Sequence, residues 1–174
     1  MMNIVTRGVT LLAASLAFAG TAGAQASSNR VAAKTDWSVF VEGNPKECWA
    51  VSTPKSTVNT KDGKPAEVRR GDILLFVTYR GAGAGEVSFM GGYPFAPGST
   101  VDVAVNNGQK FKLFTDGEGA WTGSPDDDAK LVAALKSGAD VTLTAHSARG
   151  TQTQDRFSLM GFTAATNEAA ARCK

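Results

Sequence analysis

The sequence predicts a mostly β protein, a sandwich or barrel of short strands interrupted by two helices. Seven or more short runs of β-branched and aromatic residues recur, with a turn signal roughly every eight to twelve residues. The 19 glycines fit a fold with many tight turns. The 174 residues are enough for one domain of ordinary size, and no linker separates a second one.

The first 26 residues are typical of a secretory signal peptide. Arg7 precedes an apolar run over residues 9–19, and small residues then provide two candidate cleavage motifs, Ala22-Gly23-Ala24 and Ala24-Gln25-Ala26. A buried helix or a retained anchor is the alternative, but the run is shorter than the roughly 20 residues that span a bilayer. We therefore expect removal of residues 1–26 and no transmembrane span in the mature protein.

The mature chain is expected to begin with a flexible leader over residues 27–35, followed by a single β-sandwich domain over residues 36–174. The apolar run 73–79 predicts a central strand buried on both sides. Residues 53–70 are polar and contain two prolines, which predicts a long surface loop. Strands are predicted over residues 37–41, 48–52, 73–79, 86–90, 101–105, 111–114, 120–122, 141–146 and 155–159.

Two helices are predicted from their end signals. Ser124 is a suitable N-cap before Pro125, and the three aspartates that follow suit the positive end of the helix dipole. A calcium site is the alternative for these acids, but they lack the alternating spacing of a calcium loop. Gly138 ends this helix, and residues 163–172 form an Ala-rich second one.

Two cysteines, Cys48 and Cys173, are present. An exported chain meets an oxidising compartment, and two cysteines allow only one intramolecular pair. A redox-active pair is the alternative, but the chain contains no Cys-x-x-Cys motif. We predict a structural disulfide that ties the first strands to the C-terminal segment.

The charged residues argue against several partner classes. Formal net charge is +2, and both signs are scattered along the chain, so neither a nucleic-acid stripe nor a polybasic membrane patch is predicted. The glycine-rich stretch 81–85 is followed by a strand, whereas a phosphate loop precedes a helix. The sequence therefore predicts no cofactor.

Catalytic and metal-binding residues are also not predicted. The one histidine, His146, lies next to Ser147, and neighbouring strand residues face opposite ways. Too few histidine and cysteine ligands are present for a zinc site. A glycosidase-like carboxylate pair stays open, because distant acids can meet in three dimensions. The candidates for it are Glu86, Asp116, Glu118 and Asp155.

The order of several short motifs resembles the invasion-associated locus B family of exported alphaproteobacterial proteins. These motifs are Cys48-Trp49, Arg70-Gly71-Asp72, Gly92-Tyr93-Pro94-Phe95, residues 111–117, Ala120-Trp121, and residues 131–136, 147–151 and 157–165. The resemblance implies an immunoglobulin-like antiparallel β-sandwich and an envelope location. It also implies a link to virulence, since the family takes its name from bacterial entry into host cells. It supplies no catalytic residues.

We therefore expect a non-enzymatic, periplasmic or secreted binding module that supports host-cell association or invasion through an envelope or host-surface component. A periplasmic hydrolase with clustered carboxylates and a small-ligand carrier are the alternatives. Loops and strand ends carry function more often than cores do, which favours Tyr93, Trp121 and Arg149 as binding residues. Arg149 is alternatively a structural partner of Asp155 across the last hairpin.

Overall fold

Twelve strands and two helices make up the part of the chain that the structure, a computed structural model, describes, which is residues 29–174. The signal peptide predicted for residues 1–26 lies outside the described residues. The helices are α1 (Pro125–Ser137) and α2 (Phe162–Arg172). The strands are β1 (Arg30–Lys34), β2 (Trp37–Glu42), β3 (Glu47–Ser52), β4 (Ser56–Lys61), β5 (Lys64–Pro65), β6 (Leu74–Tyr79), β7 (Glu86–Met90), β8 (Thr100–Val105), β9 (Lys110–Asp116), β10 (Gly119–Trp121), β11 (Asp140–His146) and β12 (Gln152–Ser158).

All twelve strands belong to one continuous antiparallel sheet with the order β1-β2-β3-β6-β7-β10-β9-β8-β11-β12-β4-β5. The sheet folds back on itself, because the ring of Phe89 on β7 meets that of Phe157 on β12 at 6.2 Å between centroids. At another point of the fold, the indole N–H of Trp37 donates to the carbonyl of Ser158 at 2.9 Å. The predicted mostly β, antiparallel fold with two helices is confirmed.

The core lies inside the folded sheet and follows the two-residue period of its strands. On β6, Leu75, Val77 and Tyr79 are buried, while Leu74 and Phe76 are only half-buried on the opposite face. The prediction that this strand is buried on both sides was therefore wrong. Its outer face is only partly covered, whereas its inner face belongs to the buried core.

Helix α2 packs on the core, and the disulfide lies directly after its last residue. The ring of Phe162 packs edge-on against Trp37 at 4.9 Å between centroids, and Ala165 and Ala169 are fully buried. Just after the helix, Cys173 is bonded to Cys48 on β3, with 5.7 Å between the Cα atoms. The structure thus contains the predicted disulfide.

Helix α1 begins as its sequence predicts. The Ser124 hydroxyl accepts a hydrogen bond from the Asp127 amide at 3.2 Å, which satisfies one of the free N–H groups of the first turn. Asp128, which is buried, accepts from the backbone N–H of Val87 at 2.8 Å and so joins the helix to β7. Burial raises the pKa of Asp128 above its ordinary value. No described helix is long and apolar enough to cross a membrane.

Two segments differ from their predictions. Residues 30–34, expected within a flexible leader, form β1 against β2, and residues 53–70, expected to be a loop, contain β4 and β5. Residues 53–70 are mostly polar, and β1 has one valine and two small alanines between charged ends, so neither segment carries a strong strand signal. They become strands because β2 and β12 present free backbone donors and acceptors that a neighbouring strand can satisfy.

Candidate functional site

One cleft of about 420 Å³ brings together four separate parts of the chain. These are the segment after β5, the turn after β7, the β9–β10 turn, and the β11–β12 connection with the start of β12. A backbone contact between Phe95 and Ser147 joins two of the walls. The lining residues that carry side-chain chemistry are Glu67, Arg69, Arg70, Tyr93, Glu118, Ser147, Arg149 and Thr153.

A buried ion pair lies beneath this cleft. The side chain of Arg70 is 5% exposed and that of Asp155 is 0% exposed, and two hydrogen bonds of 2.6 and 2.8 Å join them. Arg70 also donates twice to the carbonyl of Gly91 and once to Asn59, so all its donors are used. The pair therefore joins β12 and β4 to the end of β7 and holds no free charge for a ligand.

Tyr93 forms a wall of the cleft in a fixed orientation. Its hydroxyl is hydrogen-bonded to Thr153 at 2.6 Å, and the guanidinium of Arg70 lies 4.9 Å from its ring centre. Phe95 packs edge-on against the same ring at 5.2 Å. Burial raises the pKa of the Tyr93 hydroxyl, although the bond to Thr153 and the charge of Arg70 act in the opposite direction. The phenol is neutral at physiological pH.

The rim of the cleft carries both charge signs. Glu67, Arg69, Glu118 and Arg149 are exposed, and within residues 29–174 their side chains form no ion pair. The loop that carries Arg149 is held by the buried Ser147 hydroxyl, which accepts from the backbone N–H groups of Arg149 and Thr151. The cleft thus combines a fixed aromatic ring with two free guanidinium and two free carboxylate groups.

The structure brings two of the three predicted binding residues together. Tyr93 and Arg149 line the same cleft, whereas Trp121 lies in a different groove on the outer face of the sheet. The alternative role of Arg149 as partner of Asp155 is wrong, because Arg70 already occupies that carboxylate. Sequence reasoning gave Arg70 no role in the site, because it placed this residue at the end of a surface loop.

The four candidate acids occupy different surroundings. Asp155 forms a buried ion pair with Arg70, and Glu86 forms an ion pair with Arg80 at 3.2 Å on the sheet surface. Asp116 and Glu118 flank the β9–β10 turn, and only Glu118 lines the cleft. Among the described residues, no three His, Cys, Asp or Glu side chains are grouped in a way that could hold a metal ion.

Comparisons with known proteins identify a family and a solved structure with a similar fold. A family model described as "Invasion associated locus B (IalB) protein" matches residues 37–170. The crystal structure of invasion associated protein b from Bartonella henselae is similar, with a TM-score of 0.57 and 19% sequence identity. The similarity covers 81% of this chain and 96% of that one, and at this identity it shows the shared fold alone. No curated protein matches. Because the family model spans well over half of the sequence, this chain belongs to the invasion-associated locus B (IalB) family.

Proposed function

We propose that this protein is a non-enzymatic binding module that acts outside the cytoplasm and holds a segment of a partner polypeptide in the Tyr93 cleft. The single observation that carries the proposal is the fixed ring of Tyr93 beside the free guanidinium groups of Arg69 and Arg149. Interface hot spots are enriched in tyrosine and arginine held in well-packed surroundings. The volume of about 420 Å³ lies within the range of known binding clefts.

The charges of the rim favour a polypeptide over a simple anion or cation. An anion-binding site concentrates positive charge, yet here Arg69 and Arg149 share the cleft with Glu67 and Glu118. Arg70 adds no net charge, because Asp155 neutralises it. A peptide segment supplies both acidic and basic side chains as well as backbone donors and acceptors, so it can satisfy all four rim groups.

The surroundings of Ser147 and His146, the candidate nucleophile and base, support a role without catalysis. The Ser147 hydroxyl is buried and already accepts two backbone hydrogen bonds. His146 is exposed at the end of β11 and makes no side-chain hydrogen bond in the described chain. General-base activation needs a nucleophile and a base within hydrogen-bond reach of each other, and this pair does not meet that condition.

The disulfide supports the proposal that the protein functions in an oxidising compartment, since disulfides persist in the periplasm and outside the cell. The names of the family and of the Bartonella protein both refer to invasion. We therefore extend the proposal to a partner on the bacterial envelope or on a host-cell surface.

A photo-crosslinking residue placed at position 149 in living cells tests this proposal. We expect it to capture one discrete protein, and we expect the same residue at position 30 on β1, also an exposed arginine site, to capture none. With that protein purified, Arg149→Ala should weaken binding at least about tenfold, while Arg30→Ala should leave it unchanged. Equal capture at both positions, or no capture at position 149, would contradict the proposal.

A further inference from the structure

A second surface feature lies on the outer face of the sheet, away from the Tyr93 cleft. We call it the outer groove. It has a volume of about 320 Å³ and crosses β3, β6, β7 and β10, with an indole at each side. Its lining includes the rings of Trp49, Phe76 and Trp121 and the charged side chains of Glu47, Arg80 and Glu86.

The indole of Trp121 lies against the sheet because Gly119, two positions before it in the chain, has no side chain to displace it. A Cβ atom on Gly119 would lie 2.2 Å from the outer carbon of the indole and under 3 Å from the two carbons beside it. The ring therefore lies along β10 over a position where only glycine leaves room for it. Phe114 on β9 supports its other side at 5.9 Å between centroids. The indole is thus fixed and partly exposed before any partner arrives.

Trp49 borders the opposite side of the outer groove. Its indole stacks on Phe40 with centroids 5.6 Å apart and planes 8° apart. On its other side β6 places Thr78, and next to Trp121 β7 places Ser88. Phe76 on β6 and Glu86 on β7 share this face with the two short hydroxyl side chains, so the ring of Phe76 lies between the indoles. The strands that carry the indoles, β3 and β10, are three strand spacings, or about 14 Å, apart.

The charged groups of the outer groove are already paired with one another. Arg80 donates to Glu47 at 2.5 Å and to Glu86 at 3.2 Å. The network holds two carboxylates and one guanidinium, so its net negative charge disfavours anionic ligands. Its oxygen and nitrogen atoms can still exchange hydrogen bonds with hydroxyl groups. The groove therefore offers aromatic rings, hydroxyl side chains and an ion-pair network that keeps one net negative charge.

We infer that the outer groove binds an uncharged oligosaccharide. Sugar rings present C–H faces that pack on indoles and hydroxyl groups that bond to planar charged side chains, which matches both parts of the groove. A second copy of this chain is a poorer fit, because a stable protein interface buries about 800 Å² on each partner. The groove is about 14 Å across from β3 to β10, whereas a patch of that area is about 28 Å across.

Direct binding measurements on the processed chain test this inference. The probes are cellohexaose, maltohexaose and the hexamer of N-acetylglucosamine, followed by tryptophan fluorescence and calorimetry. We expect saturable binding of at least one probe, weakened about tenfold or more by Trp121→Ala. Trp49→Ala should weaken it as well. Arg149→Ala should leave it unchanged, which separates this site from the Tyr93 cleft.

A matched pair of glycine variants removes the risk that the loss of a large ring disturbs the fold. Gly119→Ala keeps both indoles but displaces the one at Trp121, so it should also weaken binding about tenfold. Gly123→Ala is the control, since its Cβ atom would lie 3.9 Å from the nearest side chain. Absence of saturable binding for all three probes would overturn the inference. Equal binding by the two glycine variants, or a dimer in light scattering that Trp121→Ala dissociates, would overturn it too.

Discussion

Removal of one partner from the buried ion pair should destabilise this fold more than most single substitutions do. Asp155 is completely buried and accepts three hydrogen bonds, from the two terminal nitrogens of Arg70 and from the hydroxyl of Thr57 at 2.9 Å. Arg70→Met leaves this carboxylate with Thr57 alone, and an unpaired buried charge costs about 3–5 kcal/mol. In a domain of this size that corresponds to a melting temperature roughly 6–20 °C lower. Asp155→Leu should cost a similar amount, because it leaves the guanidinium uncompensated.

Removal of both charges should cost less than the two single losses combined. The double variant Arg70→Met with Asp155→Leu leaves no buried charge, and apolar replacements of buried pairs are often tolerated. It still lacks the donors to the carbonyl of Gly91, so we expect a residual loss of about 1–3 kcal/mol. The measurement is urea unfolding, followed by tryptophan fluorescence, as a double-mutant cycle.

Arg156, the residue that follows Asp155 in the chain, provides a matched control. Arg156 pairs with Asp140 at 2.9 Å, but its side chain is 55% exposed and the pair lies in solvent. Arg156→Met should unfold at nearly the same urea concentration as the unaltered protein, because exposed pairs contribute little. If the single losses at Arg70 and Asp155 simply add in the double variant, or are no larger than that of Arg156→Met, the reasoning is refuted.

Three further predictions concern stability. Replacing Cys48 and Cys173 with serine should lower the free energy of unfolding by about 4–5 kcal/mol, because the bridge closes nearly the whole domain. The measurement is urea unfolding, and the chemically reduced protein should lose the same amount of stability as the serine variant. Gly161→Ala should destabilise far more than Gly150→Ala, since both have positive φ but only the first places its Cβ within 1.9 Å of a backbone oxygen. Asp128→Asn should reduce the pH dependence of unfolding, because the raised pKa of Asp128 makes the unaltered protein lose stability as pH rises from 3.8 through that higher value.

Each of these has a clear contrary result. An unchanged urea midpoint after reduction would show that the disulfide does not constrain the unfolded chain. Equal stability of the two glycine variants would show that the collision is relieved by movement of β1. Parallel pH curves for Asp128→Asn and the unaltered protein would show that burial of this carboxyl has no net effect on proton binding.

Local signals in the sequence were sufficient for the elements with a buried face. On β8, Val101, Val103 and Val105 are buried and the residues between them are exposed, as their alternation predicts. The N-cap of α1 was predicted from Ser124 and Pro125 alone, because capping depends on residues adjacent in the chain. The pairing of the two cysteines needed only their number and the compartment.

Elements that depend on a distant neighbour were not predicted. Strands β1 and β4 form because β2 and β12 offer them backbone partners, and their own side chains carry little information about this. The same applies to Arg70, whose role depends on a carboxylate 85 positions away in the chain. The Tyr93 cleft was half predicted, since Tyr93 and Arg149 were recognised as binding residues but Glu67 and Arg69 were not. Glu118 was named only as a candidate catalytic acid.

The amino-acid sequence by itself determined the strand alternation, the helix ends, the one possible disulfide and the family, because all of these depend on residue type, order or count. Only the tertiary structure decided that Tyr93 and Arg149 share a cleft while Trp121 belongs to a different face. The reason is geometric: the curl of the sheet determines which turns meet, and that curl results from packing between strands far apart in the chain.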